Sequence, residues 1–303
     1  MPELPEVETM CRGIRSIGGL QVKSFQMCEC RLKPISIHPR ASEIAATLIG
    51  SEVQQVSRLG KRVLVRFSGK QILVIEPRMT GIVMLENPPN QTHLRLEFTL
   101  VKVGSKARLT QAVSSAASKE EKKLLFWDRR GLGTVRLMSS EQLEECVINR
   151  LGPDALQMTP ALYAKNFGSS KREIKVALLD QKLVAGIGNI YAAEILFMAG
   201  IDPRARCDRL SGKQWHRISD ATQEILSHAI LHEGSTLSDG TYRNAINGEG
   251  SYQQCHRVYD REGSACSRCG KGKIARIIQA QRSTFFCPEC QKRRGLHSSL
   301  LGQ

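Results

Sequence analysis

Pro2 and Glu3, in the opening run Met1-Pro2-Glu3-Leu4-Pro5-Glu6-Val7-Glu8, are the residues in this chain whose types and adjacency could do covalent chemistry. If Met1 is removed, as a small second residue permits, Pro2 becomes a free secondary amine beside a carboxylate. An α-amino group titrates near about 7.7–8.0, so it is available unprotonated where a surface lysine is charged. Its attack on an aldehyde carbon gives an iminium ion, an electron sink of the Schiff-base kind. Glu3 is then the adjacent acid or base. A plainer reading stays open on these residues alone: Pro2 and Pro5 start a helix, and the carboxylates suit its N-terminal dipole.

A second constellation is Cys266-x-x-Cys269 followed, after 17 residues, by Cys287-x-x-Cys290. This is four-cysteine zinc-ribbon spacing, and four thiolates leave no open coordination position, so one structural Zn2+ is expected. Cys11, Cys28, Cys30, Cys146, Cys207 and Cys255 are scattered and read as free thiols of a reducing compartment. Cys28 and Cys30 lack knuckle spacing and are expected to pack. Between the cysteine pairs stand Lys271, Lys273, Arg276 and Arg282, either a solvated face or a phosphate-gripping hairpin. Gly186-Ile187-Gly188-Asn189 offers backbone N–H groups and the Asn189 amide to a phosphate, or is a glycine-broken turn between packed helices. Lys61, in Arg58-Leu59-Gly60-Lys61-Arg62, is by itself a turn lysine that keeps the surface soluble.

The elements that must position these residues follow from periodicity. Val7, Met10, Cys11 and Ile14 predict a helix from about Pro5 to Ser16. Val53–Val56, Val63–Phe67, Ile72–Ile75, His93–Leu100 and Gly133–Leu137 predict strands, the fourth alternating Leu94, Leu96, Phe98 and Leu100 against polar neighbours, with a hairpin at Ser68-Gly69-Lys70. The Ser-, Ala- and Lys-rich stretch from Val103 to Lys123 reads as a surface excursion. Beyond it the pattern turns helical: a capping box at Ser170-Lys171-Arg172-Glu173, helices carrying Ile174, Ala177 and Leu178 and then Ile190–Ala199, and a third from Ser211 to about His232. The expected fold is α+β. An N-terminal helix lies on a β-sandwich or barrel (1–137), a hinge (138–152) includes Leu151-Gly152-Pro153, and a helical domain (153–254) precedes a zinc-finger β-hairpin (255–293).

With 44 Lys and Arg against 29 Asp and Glu in 303 residues, the formal charge is +15. Such an excess predicts a polyanionic partner, of which nucleic acid is the commonest. No apolar run approaches the roughly 18 residues a spanning helix needs, and the N-terminus has no basic region of a signal peptide. A cytoplasmic protein acting on chromosomal DNA is expected.

Taken together these residues resemble the Fpg/Nei family of DNA glycosylases, over essentially the whole chain and in the family's order. The matching features are the opening octapeptide, Lys61, Leu151-Gly152-Pro153, the Gly186–Glu194 segment, and the four-cysteine finger with Gln281-Arg282. The resemblance implies a base-excision-repair glycosylase and lyase acting as a monomer on damaged duplex DNA, in a basic cleft between the two domains. Pro2 would attack C1′, Glu3 would assist ring opening, and Glu6 would support the site. Lys61, Asn189 and Arg282 would hold phosphates. A helix-two-turns-helix motif would span about Lys171 to Ala199, and the Ser235–Tyr252 loop would close over the flipped base. Met79 matches the family's wedge, and Arg130 matches the arginine facing the orphaned base.

The segment Asp128-Arg129-Arg130-Gly131-Leu132-Gly133 departs from the family, which has Pro after the Asp and Arg-Phe before the last Gly. Leu132 is apolar and could intercalate but lacks an aromatic face, and Gly131 is expected to loosen the loop; weaker interrogation of lesions follows. Leu4-Pro5 and Glu8 look like the oxidised-purine branch, for 8-oxoguanine and formamidopyrimidines. The alternatives are an endonuclease VIII-like enzyme for oxidised pyrimidines and a paralogue that binds damaged or abasic DNA with weak excision.

Overall fold

A computed structural model describes residues 2–102, 121–236, 240 and 242–292. They fall into two compact units. One holds the chain up to Asn149 together with Glu233–Gly250, and the other holds Arg150–His232 and the chain from Ser251 onward.

In the first unit, α1 (Leu4–Ile14) buries the predicted face Val7, Met10, Cys11 and Ile14. A 3-10 turn, Arg15–Ile17, extends it. There follow β1 (Leu20–Met27), β2 (Ser36–His38), α2 (Ala41–Leu48), β3 (Val53–Leu59), β4 (Arg62–Phe67), β5 (Ile72–Glu76), β6 (Gly81–Met84), β7 (Leu94–Lys102), β8 (Glu121–Asp128), β9 (Thr134–Met138) and α3 (Ser140–Cys146). The strands form a four-stranded sheet, β1-β7-β8-β6, and a five-stranded sheet, β2-β9-β5-β4-β3. Val22, Phe98 and Phe126 of the first share one core with Val63, Val65 and Ile75 of the second and with the inner face of α1. Burying each such side chain contributes about 1.5–3 kcal/mol, so the sandwich is what fixes α1.

Three expectations change here. Glu121, Lys122 and Lys123 are not excursion but the first residues of β8, paired with β7 through Val101↔Glu121; the rest of that stretch lies outside the described residues. The hinge segment carries α3, capped reciprocally by Ser139 and Gln142, because the Ser-x-x-Gln pattern satisfies both end donors. Alternation along β7 holds for Leu94, Leu96, Phe98 and Leu100, but Arg95 is buried too.

In the second unit α4 (Pro160–Phe167), α5 (Ile174–Leu178), α6 (Asn189–Ala199) and α7 (Gly212–Leu231) precede a hairpin of β10 (Ala275–Gln279) and β11 (Arg282–Phe286). α6 is buried on nearly every side and ends at Gly200, whose φ of 63° a glycine adopts without strain. The capping box predicted at Ser170 does not form. The N-cap of α5 is Glu173, and its carboxylate accepts from Gln279 Nε2 at 2.6 Å instead. Lys271 and Lys273 precede the hairpin rather than lying on it.

Candidate active site

The start of α1 is built around two buried carboxylates, Glu3 and Glu6, each 1% exposed. Glu3 is the N-cap, and its side chain takes the N–H of Glu6 while Glu6 Oε2 takes the N–H of Glu3 at 2.8 Å. This reciprocal box fixes the backbone one residue after Pro2, itself buried. Glu6 Oε1 accepts the N–H of Ser235 at 2.8 Å. Gly234 packs so closely on that carboxylate that a Cβ would meet Oε1 at 2.7 Å, and its φ of +79° also favours glycine. Tyr242 donates its hydroxyl to the Glu233 carbonyl at 3.0 Å, and burial, then Glu6, push its phenol well above the usual range. Glu6 thus connects the residue after the amine to the 233–242 segment, a role sequence reasoning did not find because Ser235 lies 229 positions away. Of the predicted Ser235–Tyr252 loop, Tyr242 and Ala245 are core residues of the first unit, and 237–239 and 241 lie outside the described residues.

Glu8 bonds Arg12 (2.9 Å) and Arg58 (3.1 Å), tying α1 to β3. Burial pushes its carboxyl up, but the two guanidiniums outweigh this and hold it below its ordinary value. Lys61 sits half-buried in the next turn, after Gly60 with its φ of 57°.

Two loops carry the residues predicted to enter the duplex. Met79, 36% exposed between β5 and β6, is not a core methionine. Arg130 and Leu132 lie between β8 and β9, the arginine exposed and the leucine half-buried. The loops are joined by Asp128, fully buried, which accepts from Thr80 Oγ1 (2.5 Å), the Arg130 N–H (3.2 Å) and the Gly133 N–H (2.8 Å). Arg95 clamps the same loop by donating to the carbonyls of Asp128 (2.8 Å) and Lys33 (2.9 Å). Neither Thr80 nor Arg95 was legible as part of a site, since a strand arginine reads as solvent-facing.

The loosening expected from Gly131 is corrected by its packing. Its φ is +61°, and a Cβ there would lie 2.0 Å from the Lys33 carbonyl oxygen, so glycine lets the loop seat against that backbone. Gly131→Ala is expected to lower stability by about 2 kcal/mol or more, from left-handed strain plus displacement of Lys33. The denaturant midpoint measures this, and an unchanged midpoint would refute the packing argument.

In the second unit Asn189 opens α6 and donates Nδ2–H to the Ser283 carbonyl at 3.0 Å. That bond brings it beside exposed Arg282 and leaves it a second amide hydrogen. Arg276 is turned to Ser283 (3.1 Å) and Glu262 (3.6 Å). Buried Glu194 of α6 accepts the N–H groups of Arg257, Val258 and Tyr259 at 2.8–3.1 Å and so anchors the chain leading to the finger.

Cys266, Cys269, Cys287 and Cys290 converge, with Sγ separations of 3.7 Å (Cys266–Cys290) and 3.9 Å (Cys269–Cys287). Tetrahedral zinc with Zn–S of about 2.3 Å needs sulfurs about 3.8 Å apart, so the donor set fits that ion. N–H groups of Gly272 and Lys271 hold the Cys269 thiol down to about 6, while burial pushes the neighbouring Cys287 and Cys290 thiols up. The group is closed, and one Zn2+ there is structural.

Residues 1–135 match the formamidopyrimidine-DNA glycosylase N-terminal domain, 151–241 the formamidopyrimidine-DNA glycosylase H2TH domain, and 263–293 the zinc finger found in FPG and IleRS. The formamidopyrimidine-DNA glycosylase of Laribacter hongkongensis is 36% identical, covering 96% of this chain and 100% of its own. That of Chloroflexus aurantiacus is 33% identical over 96% and 98%. Among solved structures, Lactococcus lactis Fpg in complex with abasic-site DNA superposes with a TM-score of 0.80 at 30% identity, covering 96% and 100%. A glycine-to-proline mutant of the same Lactococcus protein, in complex with Fapy-dG DNA, gives the same TM-score and identity.

Proposed function

The chain belongs to the formamidopyrimidine-DNA glycosylase family, and on that premise we propose that it excises oxidised purines from duplex DNA and cleaves the resulting abasic site. The observation that carries this reading is the α1 terminus, where the residue that becomes a free amine stands next to buried Glu3 with its backbone held by Glu6.

The Pro2 nitrogen attacks C1′, the N-glycosidic bond breaks, and the base leaves with its electron pair and takes up a proton. Glu3 gives a proton to the ring oxygen as the sugar opens to the iminium. The iminium acidifies C2′, so loss of that proton expels the 3′ phosphate, and a second elimination expels the 5′ phosphate. Lys61, Asn189 and Arg282 hold backbone phosphates. Met79, Arg130 and Leu132 fill the stack the base leaves, offsetting an extrusion that costs a few kcal/mol. The coupling of the two loops through Asp128 and Thr80 supports their acting together. In this reading the sandwich, 1–137, is catalytic, the helical part, 153–254 apart from the 233–250 segment that belongs to the first unit, and the finger, 255–293, grip DNA, and 138–152 joins them. The enzyme acts as a monomer in the cytoplasm; among the described residues no helix is long and apolar enough to cross a membrane.

Borohydride trapping tests the assignment with duplexes containing 8-oxoguanine, dihydrouracil or an abasic site. A covalent adduct and gapped strand with 8-oxoguanine are expected. An adduct with dihydrouracil in preference would move the enzyme to oxidised pyrimidines, and one with the abasic duplex alone would leave lyase chemistry without base excision.

A further inference from the structure

His228, His232 and Cys255 form a second cluster of metal-ligating side chains, distinct from the four finger cysteines and unused by the repair chemistry. Their ligand atoms all lie within 4.8 Å of one another. The two histidines are one turn apart at the end of α7, a spacing that stacks side chains on one helix face. Their ring centroids are 4.2 Å apart. Cys255 reaches the same point from a 3-10 turn, Tyr252–Cys255, on the returning chain.

The surroundings orient these groups as a metal site requires. His232 Nδ1 lies 2.9 Å from the His228 carbonyl, which can only accept, so Nδ1 carries the proton and Nε2 keeps its lone pair for a cation. The buried Tyr252 ring meets both imidazoles edge-on, at 5.7 Å and 6.2 Å, and restricts their rotation. Ser251 ties the two chain segments together by donating its N–H to the His232 carbonyl at 2.9 Å. His228 is exposed and the other two are half-exposed, so a cation has access from solvent.

We propose that His228, His232 and Cys255 bind a second cation of the zinc class, which clips the end of α7 to the Tyr252–Cys255 turn. Ligands of a tetrahedral zinc stand about 3.5 Å apart, so side-chain rotations of roughly an ångström close the site. Two imidazoles and a thiolate select zinc-like ions over magnesium or calcium, which prefer oxygen. Three protein ligands leave a fourth position to water, unlike the closed finger. The clip sits where the chain leaves the second unit at His232 and re-enters it at Ser251, so it binds together the two ends of the 233–250 segment.

Zinc and cobalt titrations of the full chain, with the finger already loaded with zinc, test the site. The expected result is a second equivalent of metal, with a thiolate-to-cobalt charge-transfer band when Co2+ is the probe. Cys255→Ser should abolish that band, and His228→Ala, at an exposed position, should weaken the second equivalent by more than about 100-fold while the finger zinc stays. A wild-type stoichiometry of one would overturn the proposal, as would a second equivalent that survives both substitutions unchanged. Metal stoichiometry is read without reference to glycosylase activity, so the two assignments stand or fall separately.

Discussion

A preparation with an uncleaved residue ahead of Pro2 is expected to lose base excision and strand cleavage together, by about 10³-fold or more, as removal of a covalent nucleophile does elsewhere. An amide nitrogen shares its lone pair with the carbonyl and cannot add to C1′, so no iminium forms and no C2′ proton is acidified. Glu3 and Glu6 retain their mutual hydrogen bonds in such a preparation, because these use the backbone from Glu3 onward. Binding to abasic DNA should therefore fall far less than turnover, and that split separates lost chemistry from a misbuilt site. Single-turnover cleavage alongside borohydride trapping measures it. Robust cleavage by the extended chain would show that another amine is the nucleophile, and peptide mapping of the trapped adduct would locate it.

Removing the finger zinc is expected to weaken DNA binding by about 100-fold near physiological salt, because phosphates once gripped by the finger take back their counterions. The cluster around the finger is small: Val258, Ile274, Phe285, Cys266 and Cys287 pack on Ala193 and Phe197 of α6. So few apolar side chains do not offset the entropy of ordering the hairpin, whereas a structural zinc supplies about 10–16 kcal/mol. Chelation or Cys287→Ser should disorder β10 and β11, releasing Arg282 and the Ser283 carbonyl that holds Asn189. The packing of α4 on α7, with the Tyr163–Thr222 bond at 2.8 Å and Trp215 stacked on Tyr163, does not depend on the metal and should persist. The slope of log K against log salt should become shallower by about 0.9 for each phosphate no longer neutralised. Unchanged affinity after verified loss of metal would sever the link between finger and DNA.

Much of this was legible in the residues because it depends on local chemistry. The Pro2-Glu3 pair, the C-x-x-C spacing, the apolar face of α1 and the alternation of β7 each follow from neighbours within a few positions, where steric and hydrogen-bonding rules act directly. Ser170-to-Glu173 shows the limit of that locality. Its pattern matches a capping box, yet Glu173 is recruited by Gln279, 106 positions away, and the cap moves. Gly131 shows it again: loop composition suggests slack, and only the approach of the Lys33 carbonyl turns the same residue into a packing requirement.

The sequence by itself determined the candidate reacting groups, the metal and the succession of a helix, strands and then helices, since residue type sets pKa class, ligand softness and periodicity. Tertiary structure alone decided which carboxylate is tied to Ser235, which aspartate joins the Met79 and Arg130 loops, and that Cys255 stands beside two histidines. Those pairings join positions distant along the chain, and they exist only once packing of the sandwich and of the helices has ended the freedom of the segments between them.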